Sequence, residues 1–111
     1  ATWPYTAHVR ISGERSLRVG LSCDRATLQT LACAFLRVPT EQCDSELAAD
    51  ALGEIVNVLM GYVVRNTLSE DADYRATPPD FTRTAATLVD EGALAVQLNS
   101  QLGPLLLLVG E

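Results

Sequence analysis

The order of apolar and polar positions divides the chain into a short series of elements. Val9 and Ile11 alternate with His8, Arg10 and Ser12, and past Gly13-Glu14 the residues Leu17, Val19 and Leu21 alternate with Ser16, Arg18 and Gly20. A period of two is that of a half-buried strand, so two such runs around a short turn predict a β-hairpin. Behind Asp24, whose carboxylate suits an N-cap, the residues Leu28, Leu31, Ala32, Phe35 and Leu36 recur at helical spacing until Pro39 closes the segment. Asp44 or Ser45 is positioned to cap a second, longer helix that runs to about Leu68.

Past the acidic Ser69-Glu70-Asp71 and the Pro78-Pro79 pair, residues 81–89, 93–98 and 105–109 read as three further strands. The last two are joined by a turn at Gln101-Leu102-Gly103-Pro104. The order β-β-α-α-β-β-β with short connections predicts an α+β fold, an antiparallel sheet with two principal helices on one face. Residues 105–109, four Leu and a Val, do not alternate, so that strand is expected to be covered on both faces or buried against another subunit.

A length of 111 residues makes residues 1–111 one domain, and 48% hydrophobic with 20% charged residues is the balance of a globular chain. The net charge of −6 argues against nucleic acid and against an anionic membrane, both of which need a clustered basic surface. All eight basic residues are Arg, which removes Schiff-base lysines and P-loop lysines. Cys23, Cys33 and Cys43 are an odd set without a Cys-x-x-Cys pair, and with a single His they offer no metal framework; reduced thiols in a cytoplasmic protein are the expectation. No signal peptide is read at the start, where Trp3, Pro4 and His8 interrupt any apolar run, and residues 105–109 are too few to span a bilayer. Neither Gly-x-Ser-x-Gly nor His-Glu-x-x-His nor a Gly-rich phosphate loop occurs, and His8, on the polar side of its strand, is expected at the surface.

The long helix carries the candidate chemistry. At about 100° per residue, Leu47, Ala48, Ala51, Leu52, Ile55, Val58, Leu59, Tyr62 and Val63 gather on a broad apolar face expected to be core. Asp50, Glu54, Asn57, Gly61 and Arg65 form a narrow polar line opposite, flanked by Val56, Met60 and Val64. Such a line is either a plain solvated face or a docking ridge. Glycine inside a helix costs about 1 kcal/mol relative to alanine, so Gly53 and Gly61 favour the ridge, kept flat for a partner.

The pattern Asp50-x-x-x-Glu54-x-x-Asn57 followed by Pro78-Pro79 resembles the Asp/Ser-x3-Glu-x2-Asn…Pro signature of CheX- and CheC-type chemotaxis phosphatases. The text from Asp50 to Gly61, Asp-Ala-Leu-Gly-Glu-Ile-Val-Asn-Val-Leu-Met-Gly, is similar to that family's central helix, and the likeness runs from about Val9 to about Leu98. The family's Pro stands about one residue further from the Asn than Pro79 does here. Family members also carry a helix before the first strand, so either that helix lies outside this sequence or the layer is completed differently.

The resemblance implies a phosphatase acting on the aspartyl phosphate of a CheY-like receiver. In that role Asn57 would hold the attacking water in line, and Glu54 would contact the receiver's active-site Lys. Asp50, Gly61 and Pro79 would serve docking. The protein would need no cofactor of its own, the divalent ion belonging to the receiver, and a homodimer joined at a sheet edge is expected. The alternative is a non-catalytic docking module of the same fold, as in flagellar switch proteins, or a regulator of a receiver outside chemotaxis.

Overall fold

The computed structural model describes residues 3–111; Ala1 and Thr2, the first residues of the expected 1–111 domain and of the segment read for a leader, lie outside the described residues. The predicted hairpin is formed by β1 (Tyr5–Gly13) and β2 (Leu17–Cys23), with Ile11 opposite Leu17 and Tyr5 opposite Cys23. The first helix, α1 (Arg25–Leu36), starts where Asp24 accepts the Thr27 amide at 2.7 Å. The long helix, α2 (Ser45–Thr67), starts where Asp44 accepts the Leu47 amide at 2.8 Å. Both caps satisfy amides that the helix itself leaves unpaired.

The chain then adds β3 (Tyr74–Ala76), α3 (Ala85–Asp90), β4 (Leu94–Ser100) and β5 (Gly103–Gly110). All five strands join one antiparallel sheet in the order β3-β1-β2-β5-β4. The α+β architecture is as expected, with α1 and α2 on one face. Ala7, Val9 and Ile11 of β1 and Leu17, Val19 and Leu21 of β2 meet Leu28, Ala32, Leu52, Val56 and Met60 in the main core.

Residues 81–89 are not a strand. Asp80 accepts the amide and hydroxyl of Thr82, which turns the chain, and Thr84 caps α3 by accepting the Thr87 amide. Ala85 and Leu88, three apart, then become the buried side of a helix, so the apparent alternation was a short helical stripe. The strand that precedes this segment, β3, has three exposed residues and no readable period.

The run at 105–109 lies in β5, an interior strand between β2 and β4. Leu105 and Leu107 pack toward the helices, while Leu106 and Leu108 meet Trp3, Ala85, Leu88 and Ala93 on the opposite face. Coverage on both faces is therefore the reason for its unbroken apolar character. Gly103 is required at its start: an added Cβ would stand 2.1 Å from the Thr27 hydroxyl, and φ is +132°.

Candidate functional site

The register of α2 differs from the expected one. Its buried side is Ala48, Ala51, Leu52, Gly53, Val56 and Met60, whereas Val58 and Tyr62 are 51% and 56% exposed and Leu47 is exposed too. The helix is apolar almost all round, so periodicity alone does not fix which stripe meets the sheet. The polar line survives this rotation: Asp50, Glu54, Asn57, Gly61 and Arg65 are all exposed.

Gly53 serves the fold and not a flat outer surface. An added Cβ there would lie 2.9 Å from the Phe81 ring and 3.1 Å from Pro79 Cβ, so glycine lets the 78–81 segment close on α2. That segment continues the sheet edge past β3. Thr77 donates its amide to Arg10 O at 2.9 Å, and His8 and Asp80 exchange backbone hydrogen bonds of 3.0 and 2.8 Å. Alternation along it sends Pro79 and Phe81 toward α2 and Asp80 to the opposite face.

The structure thus brings Pro79 against the residue next to Glu54, one turn before Asn57. Gly61, two turns after Gly53, has nothing within 4 Å of an added Cβ. Apolar side chains border the polar line: Val58 and Tyr62 on one flank and the exposed Phe81 on the other. Sequence reasoning missed these three, although Val58 stands four residues after Glu54, where a helix places neighbours. Beyond them the Arg65 guanidinium lies 5.4 Å from the centre of the Tyr62 ring.

Chemically, the ridge offers a carboxylate and an amide one turn apart on an open surface. It has no acid–base pair of its own, since an amide exchanges no protons. Among the described residues no cluster of His, Cys, Asp or Glu is set to hold a metal ion. A cavity of about 750 Å³ between the starts of α1 and α2, lined by Tyr5, Gln29, Cys43 and Asp44, includes no residue of the ridge. Cys23, Cys33 and Cys43 are free thiols, and burial pushes Cys23 up to about 11 and Cys43 upward, which disfavours the thiolate form of both.

The helix α2 is long and apolar enough to cross a membrane by length and composition. Here one side of it packs on the sheet and the other carries the polar line, as in the core helix of a folded domain.

His8 departs from expectation: it is 4% exposed, covered from the face opposite α1 and α2. The covering groups are Asp80, whose carboxylate lies 3.4 Å from Nε2, and the residues that follow it to Glu91.

A family model described as chemotaxis phosphatase CheX matches residues 5–99. No curated protein matches the sequence. Among solved structures, a chemotaxis protein CheX from Desulfovibrio desulfuricans superposes with a TM-score of 0.73 at 14% identity, over 96% of this chain and 73% of that one. A CheC-like superfamily protein from a Shewanella species gives 0.73 at 15% identity, over 98% and 73%. A Borrelia burgdorferi CheX, solved in complex with CheY, BeF3 and magnesium, gives 0.69 at 15% identity, over 96% and 74%. At these identities the superpositions establish the fold.

Proposed function

Since the chain belongs to the CheX family of chemotaxis phosphatases, we propose that it hydrolyses the aspartyl phosphate of a CheY-like receiver, using the exposed ridge of α2. The observation that carries this reading is the placement of Glu54 and Asn57 on an open helix face beside Pro79. In support of it, Pro79 packs against Gly53, the neighbour of Glu54, although it is 22 residues after Asn57 in the chain.

In the proposed reaction the Asn57 amide holds a water in line with the phosphorus. The water oxygen bonds to phosphorus as the bond to the aspartyl oxygen breaks, which releases inorganic phosphate and the free carboxylate. Orientation of this kind lowers the barrier by fixing the attacking water in advance and requires no nucleophile from this chain. Any divalent ion belongs to the receiver. Glu54 contacts the receiver's active-site lysine, Asp50 and Pro79 complete the contact, and Gly61 leaves room for the approaching surface.

The exposed Val58, Tyr62 and Phe81 give this ridge the apolar patches that a protein partner would cover. Titration of Glu54→Ala against a receiver loaded with a phosphate mimic tests the docking half. Weaker binding is expected, and unchanged affinity would remove Glu54 from the interface. The cytoplasm, where receivers act, is the proposed location.

A homodimer joined at a sheet edge is also proposed, but through β4 and not through the interior strand β5. Leu94, Val96 and Leu98 of β4 are exposed, Leu94 at 73%, and among the described residues β4 has a partner on one side only. A long exposed apolar edge of this type is ordinarily paired or covered.

A further inference from the structure

The sheet face turned away from α2 carries a second polar feature that the proposed reaction does not use. A cavity of about 130 Å³ opens between β1, β2 and the 77–91 segment. At about 30 Å³ per liquid water, this is room for a tetrahedral oxyanion. Arg10, Arg18 and Arg83 line it, three of the eight basic side chains of a chain whose net charge is −6. Two carboxylates share the wall. Glu91 is held by Arg18 at 3.0 Å and by Arg83, and Asp80 accepts from Thr82, so both are already engaged. Among the described residues Arg10 has no carboxylate partner, and three guanidinium groups against two carboxylates leave the site one positive charge in excess.

His8 forms the inner wall. It is almost fully buried, yet among the described residues neither ring nitrogen has a hydrogen-bond partner; the 3.4 Å approach to Asp80 lacks hydrogen-bond alignment. A buried polar group without a partner is costly and marks a place where a ligand can supply one. Burial lowers the His8 pKa; the Asp80 charge opposes this, and Arg18, Arg83 and Arg10 lower it further.

We propose that this pocket binds a small phosphate-type oxyanion, with Arg10 as its principal charge partner and His8 and the Thr77 hydroxyl as polar contacts at the wall. Phosphate oxygens suit guanidinium groups, which present planar pairs of donors. The site is separate from the α2 ridge and independent of the phosphatase reading.

The chain has one histidine, so its imidazole Cε1–Hε1 signal is unambiguous by NMR. Titration with inorganic phosphate at constant ionic strength is expected to shift that signal saturably and to raise the ring pKa. Arg10→Ala should weaken binding at least about tenfold, as loss of a charge-assisted hydrogen bond does. Arg75→Ala, in β3 outside the pocket, should leave it unchanged. O-phosphoserine as a second probe separates free phosphate from a monoester: response to either supports a phosphate site, and response to phosphate alone restricts it to the free ion. The absence of a saturable shift with both probes would overturn the proposal, as would an Arg10→Ala protein that titrates like the unaltered chain.

Discussion

Gly53 of α2 and Pro79 of the sheet edge stand so close that a methyl group on the first would come 3.1 Å from Cβ of the second. This contact ties the loop carrying Pro79 to the helix carrying Glu54 and Asn57. Gly53→Ala gains up to about 1 kcal/mol of helix propensity but overpacks the contact, at a cost of about 1–3 kcal/mol. The Phe81 ring can swing outward, whereas Pro79 cannot. Chemical denaturation should therefore show a net loss of up to about 2 kcal/mol.

Gly61→Ala should behave in the opposite way. Nothing lies near an added Cβ, so the substitution is expected to raise stability by up to about 1 kcal/mol. If Gly61 makes room for a receiver, the same protein will bind that receiver more weakly. Greater stability together with full affinity would leave Gly61 without a docking role.

The buried imidazole makes stability depend on pH. The folded-state pKa of His8 lies below the ordinary value of about 6.5. Between the two values the unfolded chain takes up a proton that the folded chain does not, so stability rises with pH through that window and falls on acidification. Thermal unfolding from about pH 8 down to about pH 5.5 should show this slope, and His8→Gln should flatten it. A second loss follows below the ordinary carboxylate range. Asp24, Asp80 and Glu91 have pKa values lowered by hydrogen bonds to Thr27, Thr82 and Arg83, and that stabilisation is lost as they protonate.

The exposed row on β4 bears on assembly. Sedimentation should find a dimer, and Val96→Glu, which places a charge at the centre of the row, should yield a folded monomer. A monomer at high concentration for the unaltered chain would exclude the β4 dimer.

Much of the framework was legible in the sequence because local signals were strong. Asp24 and Asp44 each precede a helical stripe; Asp24 caps as expected, and of the two candidates Asp44 and Ser45 it is Asp44 that caps the long helix. The hairpin register follows from strict alternation in β1 and β2. The misreadings have physical causes. Thr84 is a cap, but Ala85 and Leu88 make too short a stripe to outweigh an apparent alternation, so the sequence of α3 resembles a strand. Residues Tyr74–Ala76 have no buried side and become a strand only because β1 offers an open edge. The buried stripe of α2 is rotated by roughly a fifth of a turn, because flanking Val56 and Met60 are as apolar as the expected face. His8 was placed correctly on the polar side of its strand, but the chain's later return over that side, from Thr77 to Glu91, is a tertiary event that strand periodicity does not report. The motif residues were legible as one line on one helix. The approach of Pro79 to that helix depends on Gly53, whose role is visible only in the packed structure.

The central claim is tested most directly by the decay of a phosphorylated receiver followed with and without this protein, and with Asn57→Ala in its place. Asn57 is exposed, so its truncation is expected to leave the fold intact. The account predicts that the unaltered protein accelerates phosphate loss and that Asn57→Ala does not. Equal acceleration by both would contradict the role given to Asn57, and no acceleration by either, with binding retained, would make the chain a docking module.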